Sequence, residues 1–496
     1  MVNAGRRGSC HLRGPEPGEE AHLSPAVARA RYHYAVAMTD LSRIIKAYDI
    51  RGIVPDEIDA ELASSVGSAF VEVLGIRAVD GGPGAIVIGH DMRPSSPELV
   101  AAFAAGAAAY GVDVVLIGLA STDELYFASG SLQLPGAMFT ASHNPAQYNG
   151  IKLCRAGAAP VGQDSGLSEI RQMLTDGIPP YAGPVGLISE RELLAAYVGH
   201  LRGLVDLREN RRLKVVVDAG NGMGGHTVPA AFDGLPLDVV PMYFELDGTF
   251  PNHEANPIEP ENLRDLQAAV VLETADLGLA FDGDADRCFV VDETGRIVSP
   301  STLTSLIAVR ELARHPGSKV IHNLITSRAV AEVVTEHGGV PVRTRVGHSF
   351  IKATMAETNA VFGGEHSGHF YFRDFWRADS GLLAALHTLA ALGEAPIGTT
   401  LSSLLAPYER YFASGEINST VKDQQAAMQL ARTRSAEIPD VTIDDLDGLT
   451  VSAPRWWFNL RPSNTEPLLR LNVEADTEEL MSHIRDTALA AIREGQ

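Results

Sequence analysis

Thr140-Ala141-Ser142-His143-Asn144-Pro145 and Asp282-Gly283-Asp284-Ala285-Asp286-Arg287 put a hydroxyl nucleophile and a set of hard oxygen ligands into one chain. The apolar run 136–139 leads into Ser142 and Asn144-Pro145 stops it, which predicts an exposed hydroxyl at the carboxyl end of a strand. The second stretch spaces three carboxylates two residues apart after the apolar run 277–281, a ligand density suited to Mg²⁺. A serine combined with a Mg²⁺ site points to phosphoryl transfer.

Each stretch also has a plainer reading. Ser142 alone fits a turn, because Ser and Asn favour turns through local hydrogen bonds. His143 is not expected to be the base for Ser142, since neighbouring side chains on an extended segment diverge. The aspartates resemble the opening of an EF-hand, with Glu293 at the twelfth position. That reading fails where Arg287 replaces the turn glycine and where Cys288-Phe289-Val290-Val291 reads as a strand, so a Mg²⁺ loop between two strands is the better account.

Other polar clusters follow apolar runs. Gly364-Glu365-His366-Ser367-Gly368-His369 offers a carboxylate, a hydroxyl and imidazoles suited to sugar hydroxyls, although alone it also fits a hairpin turn. Arg461-Pro462-Ser463-Asn464-Thr465 supplies a guanidinium, hydroxyls, an amide and backbone N–H groups, a set able to hold a phosphate dianion. Tyr48, Arg51, Lys152, His348 and Lys352 add cationic or titratable groups.

These residues need a scaffold. At 496 residues the chain is too long for one core, and several domains around a cleft are expected. Short buried runs such as 85–91, 114–118 and 136–141 alternate with Ala-rich helical stretches, which is β-α-β patterning. The stretch 188–212 reads as polar and helical, the pattern restarts at 213–218, and it restarts again at 318–322. In each unit the polar, Gly-rich segments follow strands, where ligands sit in parallel sheets. The tail reads as strands over 415–421, 449–451 and 468–473 with a closing helix over 477–493, a small α+β domain. The fold class is therefore α/β, with three similar α/β domains around a central cleft plus a C-terminal α+β domain.

Composition narrows the function. The hydrophobic fraction of 45% and charged fraction of 21% are those of a globular protein, with no apolar run long enough to cross a bilayer. A net charge of −22 argues against nucleic-acid or anionic-membrane partners. Cys10, Cys154 and Cys288 form neither a metal pattern nor a disulfide framework, so a cytoplasmic location is expected. Residues 1–40 lack a signal-peptide core and are expected to be a disordered leader, with Met38 a candidate start.

With these residues in hand, the chain resembles the α-D-phosphohexomutases, and among them the bacterial phosphomannomutase and phosphomannomutase/phosphoglucomutase group. The resemblance runs from about Ile44 to the C-terminus, on four motifs in family order: Ser-His-Asn-Pro at Ser142, Asp-Gly-Asp-x-Asp-Arg at Asp282, Gly-Glu-x-Ser-Gly-His at Glu365, and Arg-Pro-Ser-Asn-Thr at Arg461. It implies a monomer of four domains, at 41–195, 196–299, 300–405 and 406–496, each giving one loop to the cleft. Ser142 would be phosphorylated, with Mg²⁺ between its phosphate and Asp282, Asp284 and Asp286, and Arg287 nearby. Glu365 and Ser367 would read sugar hydroxyls beside His348 and His369. Arg461, Ser463, Asn464 and Thr465 would hold the phosphate that is not reacting. Tyr48, Arg51, His143 and Lys152 match positions around the reacting phosphate.

The implied activity interconverts hexose 6- and 1-phosphates through a hexose 1,6-bisphosphate, which also serves as activator. His366 and Asn464 differ from the Gln and Gly usual in phosphoglucosamine mutases, favouring mannose or glucose phosphate. Where some members place a substrate-contacting lysine, this chain has Leu324-Ile325-Thr326-Ser327-Arg328, so no contact is expected there. A Mg²⁺-dependent sugar phosphatase is a competing reading, but the aspartate nucleophile on a preceding strand is missing. A non-catalytic sugar-phosphate sensor would be expected to have lost Ser142 or the aspartates, and all four are present.

Overall fold

The computed structural model describes residues 40–77, 84–462 and 468–494. Residues 1–39 of the expected leader, and Ser463, Asn464 and Thr465, lie outside the described residues.

The buried apolar runs form the central strands of three sheets with one repeated order. In the first, Gly136–Phe139, Ala85–His90 and Asp113–Leu119 lie side by side in parallel, and Tyr148–Arg155 returns antiparallel beside Gly136–Phe139. The second repeats this with Leu277–Phe281, Leu213–Asp218 and Leu237–Met242 in parallel and Cys288–Asp292 as the return strand. The third uses Phe362–Gly364, Lys319–Asn323 and Val340–Thr344, with Phe370–Phe372 returning. In all three, the loop with candidate chemistry joins the last parallel strand to the antiparallel return. Such a loop sits at the carboxyl edge of the parallel strands and is pinned by ladder hydrogen bonds at both ends.

One expectation is corrected. Within 188–212, Ile188–Glu190 is a strand at the edge of the first sheet, paired in parallel with Asp113–Leu119, and the helix is confined to Leu194–Leu204. The three strand residues are exposed, so their polarity does not disfavour the pairing; an edge strand with no buried face carries no apolar alternation to read.

Helices pack closely where small residues permit it. Helix Ala60–Leu74 starts at Asp59, whose carboxylate accepts the Leu62 N–H, and ends at Gly75, in the left-handed region at φ 61°. It crosses Ser96–Ala109 at Gly67 and Gly106. A Cβ on Gly106 would lie 2.0 Å from the Ser64 carbonyl oxygen, and one on Gly67 2.3 Å from that of Phe103. Backbone rather than side chain fills this contact, so the helices cannot yield locally.

The fourth sheet is antiparallel throughout, in the order Phe412–Thr420, Leu468–Ala475, Trp456–Pro462, Leu449–Ser452 and Thr442–Asp444. Leu460, Leu469, Leu471 and Val473 point to one face and form a core with helices Gln424–Ala436 and Glu478–Glu494. The intervening Trp457, Asn459, Arg461, Arg470, Asn472 and Glu474 lie on the other face. Trp457 packs there against Leu324 and Ile325 of the third sheet's domain. The segment expected to make no substrate contact is thus a docking point for the fourth domain, and Arg328 reinforces it by donating to the carbonyls of Ala453, Pro454 and Trp456.

Gly106→Ala is expected to lower stability by about 1–3 kcal/mol through overpacking of this helix crossing. Urea unfolding compared with the wild-type chain measures it, and an unchanged midpoint would contradict the backbone contact.

Candidate active site

The loops of the first and second domains meet directly. Ser142 is 2% exposed rather than the open hydroxyl expected, because the Asp282 loop covers it. Its Oγ donates to Asp282 Oδ2 at 2.8 Å and accepts from Arg287 Nη2 at 3.1 Å. A Cβ on Gly283 would lie 2.4 Å from the Ser142 carbonyl oxygen, so this position needs glycine for the loops to approach.

His143 also departs from expectation. Its Nδ1 lies 3.2 Å from Ser142 Oγ and takes a short hydrogen bond from Arg287 Nη2. Ser142 has φ 49°, in the left-handed region, and this turn removes the side-chain alternation that would have separated the two residues. Burial, then the charges of Arg287 and Arg51, hold the His143 imidazole well below its usual pKa.

The loop's shape rests on Arg93. Its buried guanidinium donates to the carbonyls of Ser142 (2.9 Å), Asn144 (2.7 Å), Pro145 (2.9 Å) and Tyr148 (2.9 Å). Asp91 accepts from Arg93 Nε at 3.1 Å and from its backbone N–H at 3.0 Å. Neither residue stood out in the sequence. The available signal was an Asp-x-Arg directly after a buried strand, where a charge pair must be used locally.

Asp282, Asp284 and Asp286 are all buried, with carboxylate oxygens within 4.8 Å of one another. Lys152 Nζ donates to Asp284 Oδ2 at 2.6 Å and Asp286 Oδ2 at 2.7 Å, and Arg287 Nε lies 3.2 Å from Asp282 Oδ2. Burial opposes the Lys152 charge, but the attraction of Asp284 and Asp286 outweighs it and raises that pKa well above the usual value. Burial likewise opposes the Asp284 charge, and Lys152 outweighs it, holding the carboxyl low. Asp282 is pushed up to about 8 by burial, then by the charges of Asp284 and Asp286. Two cations thus fall short of three carboxylates. Asp284 Oδ1 and Asp286 Oδ1 are moreover buried without a hydrogen-bond partner among the described residues. Orphaned hard oxygens in an electron-rich, cation-deficient nest fit a divalent metal ion.

The third domain closes this nest from one side. His369 Nδ1 bonds to Asp379 Oδ2 at 2.8 Å and lies 3.7 Å from Asp286 Oδ1, so its ring faces the aspartate loop, while its carbonyl accepts the Glu365 N–H at 3.0 Å and keeps it beside Glu365 as expected. Asp379 also pairs with Lys352 at 2.7 Å, whose ammonium sits 4.1 Å from the Tyr126 ring centroid. Thr122 donates to Asp284 Oδ2 at 2.6 Å. Asp379, Tyr126 and Thr122 were not legible as site residues because each lies outside a polar motif. Tyr48, Arg51, Ser142, Lys152, Arg287 and His369 all line one cavity of about 820 Å³. Arg51 donates to Asn144 Oδ1 and pairs with Asp49, which places it against the serine loop.

Glu365 and Arg461 do not line this cavity, although the Glu365 N–H donates to the carbonyl of its lining residue His369. The buried Glu365 carboxylate accepts from the Gly347 N–H (3.1 Å), Ser367 Oγ (3.3 Å) and the Tyr371 hydroxyl (2.9 Å). It ties its own loop to the start of helix His348–Thr358. Arg461 Nη2 donates to Glu416 Oε2 at 2.8 Å.

Four family models match in order: Phosphoglucomutase/phosphomannomutase alpha/beta/alpha domain I over residues 42–177, domain II over 195–295, domain III over 300–411, and the C-terminal domain over 416–491. The chain is 42% identical over 453 residues to a protein of Xanthomonas campestris pv. campestris named for phosphohexose mutases, covering 91% of this chain and 99% of that one. It belongs to the α-D-phosphohexomutase family. A phosphomannomutase of Escherichia coli is 39% identical over 466 residues, covering 92% of this chain and 100% of that one. A Phosphoglucomutase/phosphomannomutase family protein of Burkholderia thailandensis, solved by crystallography, superposes with a TM-score of 0.83 at 35% identity, covering 92% of this chain and 98% of that one. The phosphohexomutase family thus accounts for the three repeated α/β units and the distinct fourth domain. Among the described residues, no helix is long and apolar enough to cross a membrane.

Arg93→Lys replaces a planar fork reaching four carbonyls by a single ammonium with three donors. It is expected to lower kcat about tenfold or more, with a smaller change in KM, through looser placement of Ser142. Steady-state kinetics and the phosphate content of the Ser142 peptide check this, and wild-type kcat would refute it.

Proposed function

We propose that this enzyme is a phosphomannomutase, interconverting mannose 6-phosphate and mannose 1-phosphate and also accepting glucose phosphates. The observation that carries the reading is Ser142 Oγ, 2.8 Å from Asp282 Oδ2 and 3.1 Å from Arg287 Nη2, inside a nest of carboxylates. The names of the Xanthomonas, Escherichia and Burkholderia relatives support the substrate class.

In the forward half-reaction the phosphoserine P–Oγ bond breaks as a P–O bond forms to the free hydroxyl of the hexose monophosphate. That hydroxyl loses its proton and Ser142 Oγ gains one. His143 is a neutral imidazole beside Oγ, and the Lys152 ammonium and Arg287 guanidinium are placed to offset negative charge on the moving group. Arg51, Tyr48 and Lys152 line the space beside Ser142 where the reacting phosphate would lie. Asp282, Asp284 and Asp286 would hold Mg²⁺ together with the Ser142 phosphate. When bound, that ion would polarise the phosphoryl oxygens and stabilise their charge.

The resulting hexose 1,6-bisphosphate, also the activator, must turn over so that its other phosphate returns to Ser142. Arg461, Ser463, Asn464 and Thr465 form the grip for whichever phosphate is not reacting. Glu365, Ser367 and His348 are assigned to reading the sugar hydroxyls, and His369 to the aspartate side of the site. The proposed division is into domains at 41–195, 196–299, 300–405 and 406–496, which the four separate sheets support. The enzyme is proposed to be a cytoplasmic monomer without nucleic-acid or membrane partners.

Ser142→Ala is expected to abolish turnover with the fold intact, since the proposed carrier of the phosphoryl group is lost. The check is a coupled assay on mannose 1-phosphate and glucose 1-phosphate side by side with hexose 1,6-bisphosphate, and mass spectrometry of the Ser142 peptide. An active alanine variant sinks the mechanism, while a wild type that uses only glucose 1-phosphate sinks the mannose reading. Asp284→Asn should depress turnover by orders of magnitude with partial rescue by added Mg²⁺. Full wild-type activity in excess chelator would rule out the metal role.

A further inference from the structure

Arg461 and Arg470 are directly opposite each other on neighbouring antiparallel strands of the fourth domain. Like charges in this register share a face and repel. Among the described residues one carboxylate relieves them: Glu416 accepts from Arg461 Nη2 with Oε2 at 2.8 Å, and its Oε1 lies 3.4 Å from Arg470 Nη1. Glu416 comes from the adjoining edge strand, immediately after a register shift between Ala413 and Glu416. A bulge of this kind re-aims the side chains that follow it.

The arginines retain capacity that Glu416 does not use. The Nε atoms of both are buried without a hydrogen-bond partner among the described residues. Two guanidinium groups carry ten N–H donors, and a single carboxylate cannot engage most of them. The cluster is therefore built for more anionic oxygen than the described residues supply. His366, from the loop after Phe362–Gly364, is close enough for both Glu416 and Arg461 to act on its charge.

We propose that Glu416 is an internal stand-in for the non-reacting phosphate, occupying the Arg461–Arg470 pair in the free enzyme and displaced when substrate binds, with Arg470 the second guanidinium of the grip. The proposal rests on the reading that Arg461 holds the non-reacting phosphate. Its consequence is a deliberately weakened hold. An arginine pair with no competitor would bind both sugar monophosphates and the bisphosphate more tightly, which lowers KM without speeding transfer and slows the turning of the intermediate. A carboxylate that re-enters as the phosphate leaves makes the grip reversible.

The test measures the dissociation constant of mannose 1-phosphate by calorimetry on the full-length chain, in a Ser142→Ala background that prevents turnover. Glu416→Gln keeps the side chain's size but removes the competing charge, and is expected to tighten binding roughly fivefold or more. Arg470→Gln and Arg461→Ala are each expected to weaken it by at least that factor. If Glu416→Gln proves unstable, Glu416→Asp, which retracts the carboxylate by one methylene, should shift the constant in the same direction. An unchanged constant in Arg461→Ala overturns the phosphate grip and the stand-in with it. Weakened binding in Arg461→Ala, combined with unchanged or weaker binding in Glu416→Gln, overturns the stand-in alone and makes Glu416 an orienting partner of the arginines.

Discussion

Three carboxylates cannot be buried within one short loop unless cations or protons meet them, and the positions of the other loops follow from this requirement. Asp282, Asp284 and Asp286 come from a single turn, but only one of the two charges that balance them does. Lys152 arrives on the return strand of the first domain, and Arg287 folds back from the end of the aspartate loop itself. Breaking a buried pair of this kind by removing one partner costs about 3–5 kcal/mol, so the first and second domains are held together by the same contacts that build the site. The remaining cation deficit is what makes the nest suited to a metal. Burial, then the charges of Asp284 and Asp286, raises the Asp282 pKa, and Asp284 Oδ1 and Asp286 Oδ1 have no hydrogen-bond partner among the described residues.

Much of the site is legible in the sequence. Ser142, the aspartates and Glu365 announce themselves because their loops are polar and Gly-rich between buried strands, and the strands themselves are continuous apolar runs. What escaped is of a different kind. Arg93 and Asp91 touch no substrate position, but four carbonyls of the serine loop depend on one guanidinium. Asp379 and Thr122 reach the nest from other domains, and sequence separation hides such contacts. The misjudged contact between Ser142 and His143 has a single cause, the left-handed backbone at Ser142. A serine in that conformation is costly by ~1–2 kcal/mol, and the Arg93 fork together with the Asp282 hydrogen bond holds it there.

The edge strand at Ile188–Glu190 shows the opposite limit. Helix and strand are distinguished by burial periodicity, and an exposed strand has none to show. Its identity is set by backbone partners on Asp113–Leu119, which no local pattern records.

Repetition also clarifies the fourth domain. Three domains present their loops from the same topological position, between a parallel strand and its antiparallel return, and such loops are fixed at both ends. A bisphosphate that must leave, turn and re-engage cannot be served by fixed contacts alone. The fourth domain is built differently: its polar groups stand on one face of an antiparallel sheet, docked through the apolar patch of Trp457, Leu324 and Ile325 and through polar contacts of Arg328, Arg343 and Val346. The apolar part of this joint is small and gives up little apolar burial when exposed, and the rest of it is polar. Under the proposed mechanism the rigid loops would hold the reacting phosphate in place while the grip on the other one is released, and this division of labour between fixed and releasable contacts is what a reaction passing through a freely turning intermediate would require.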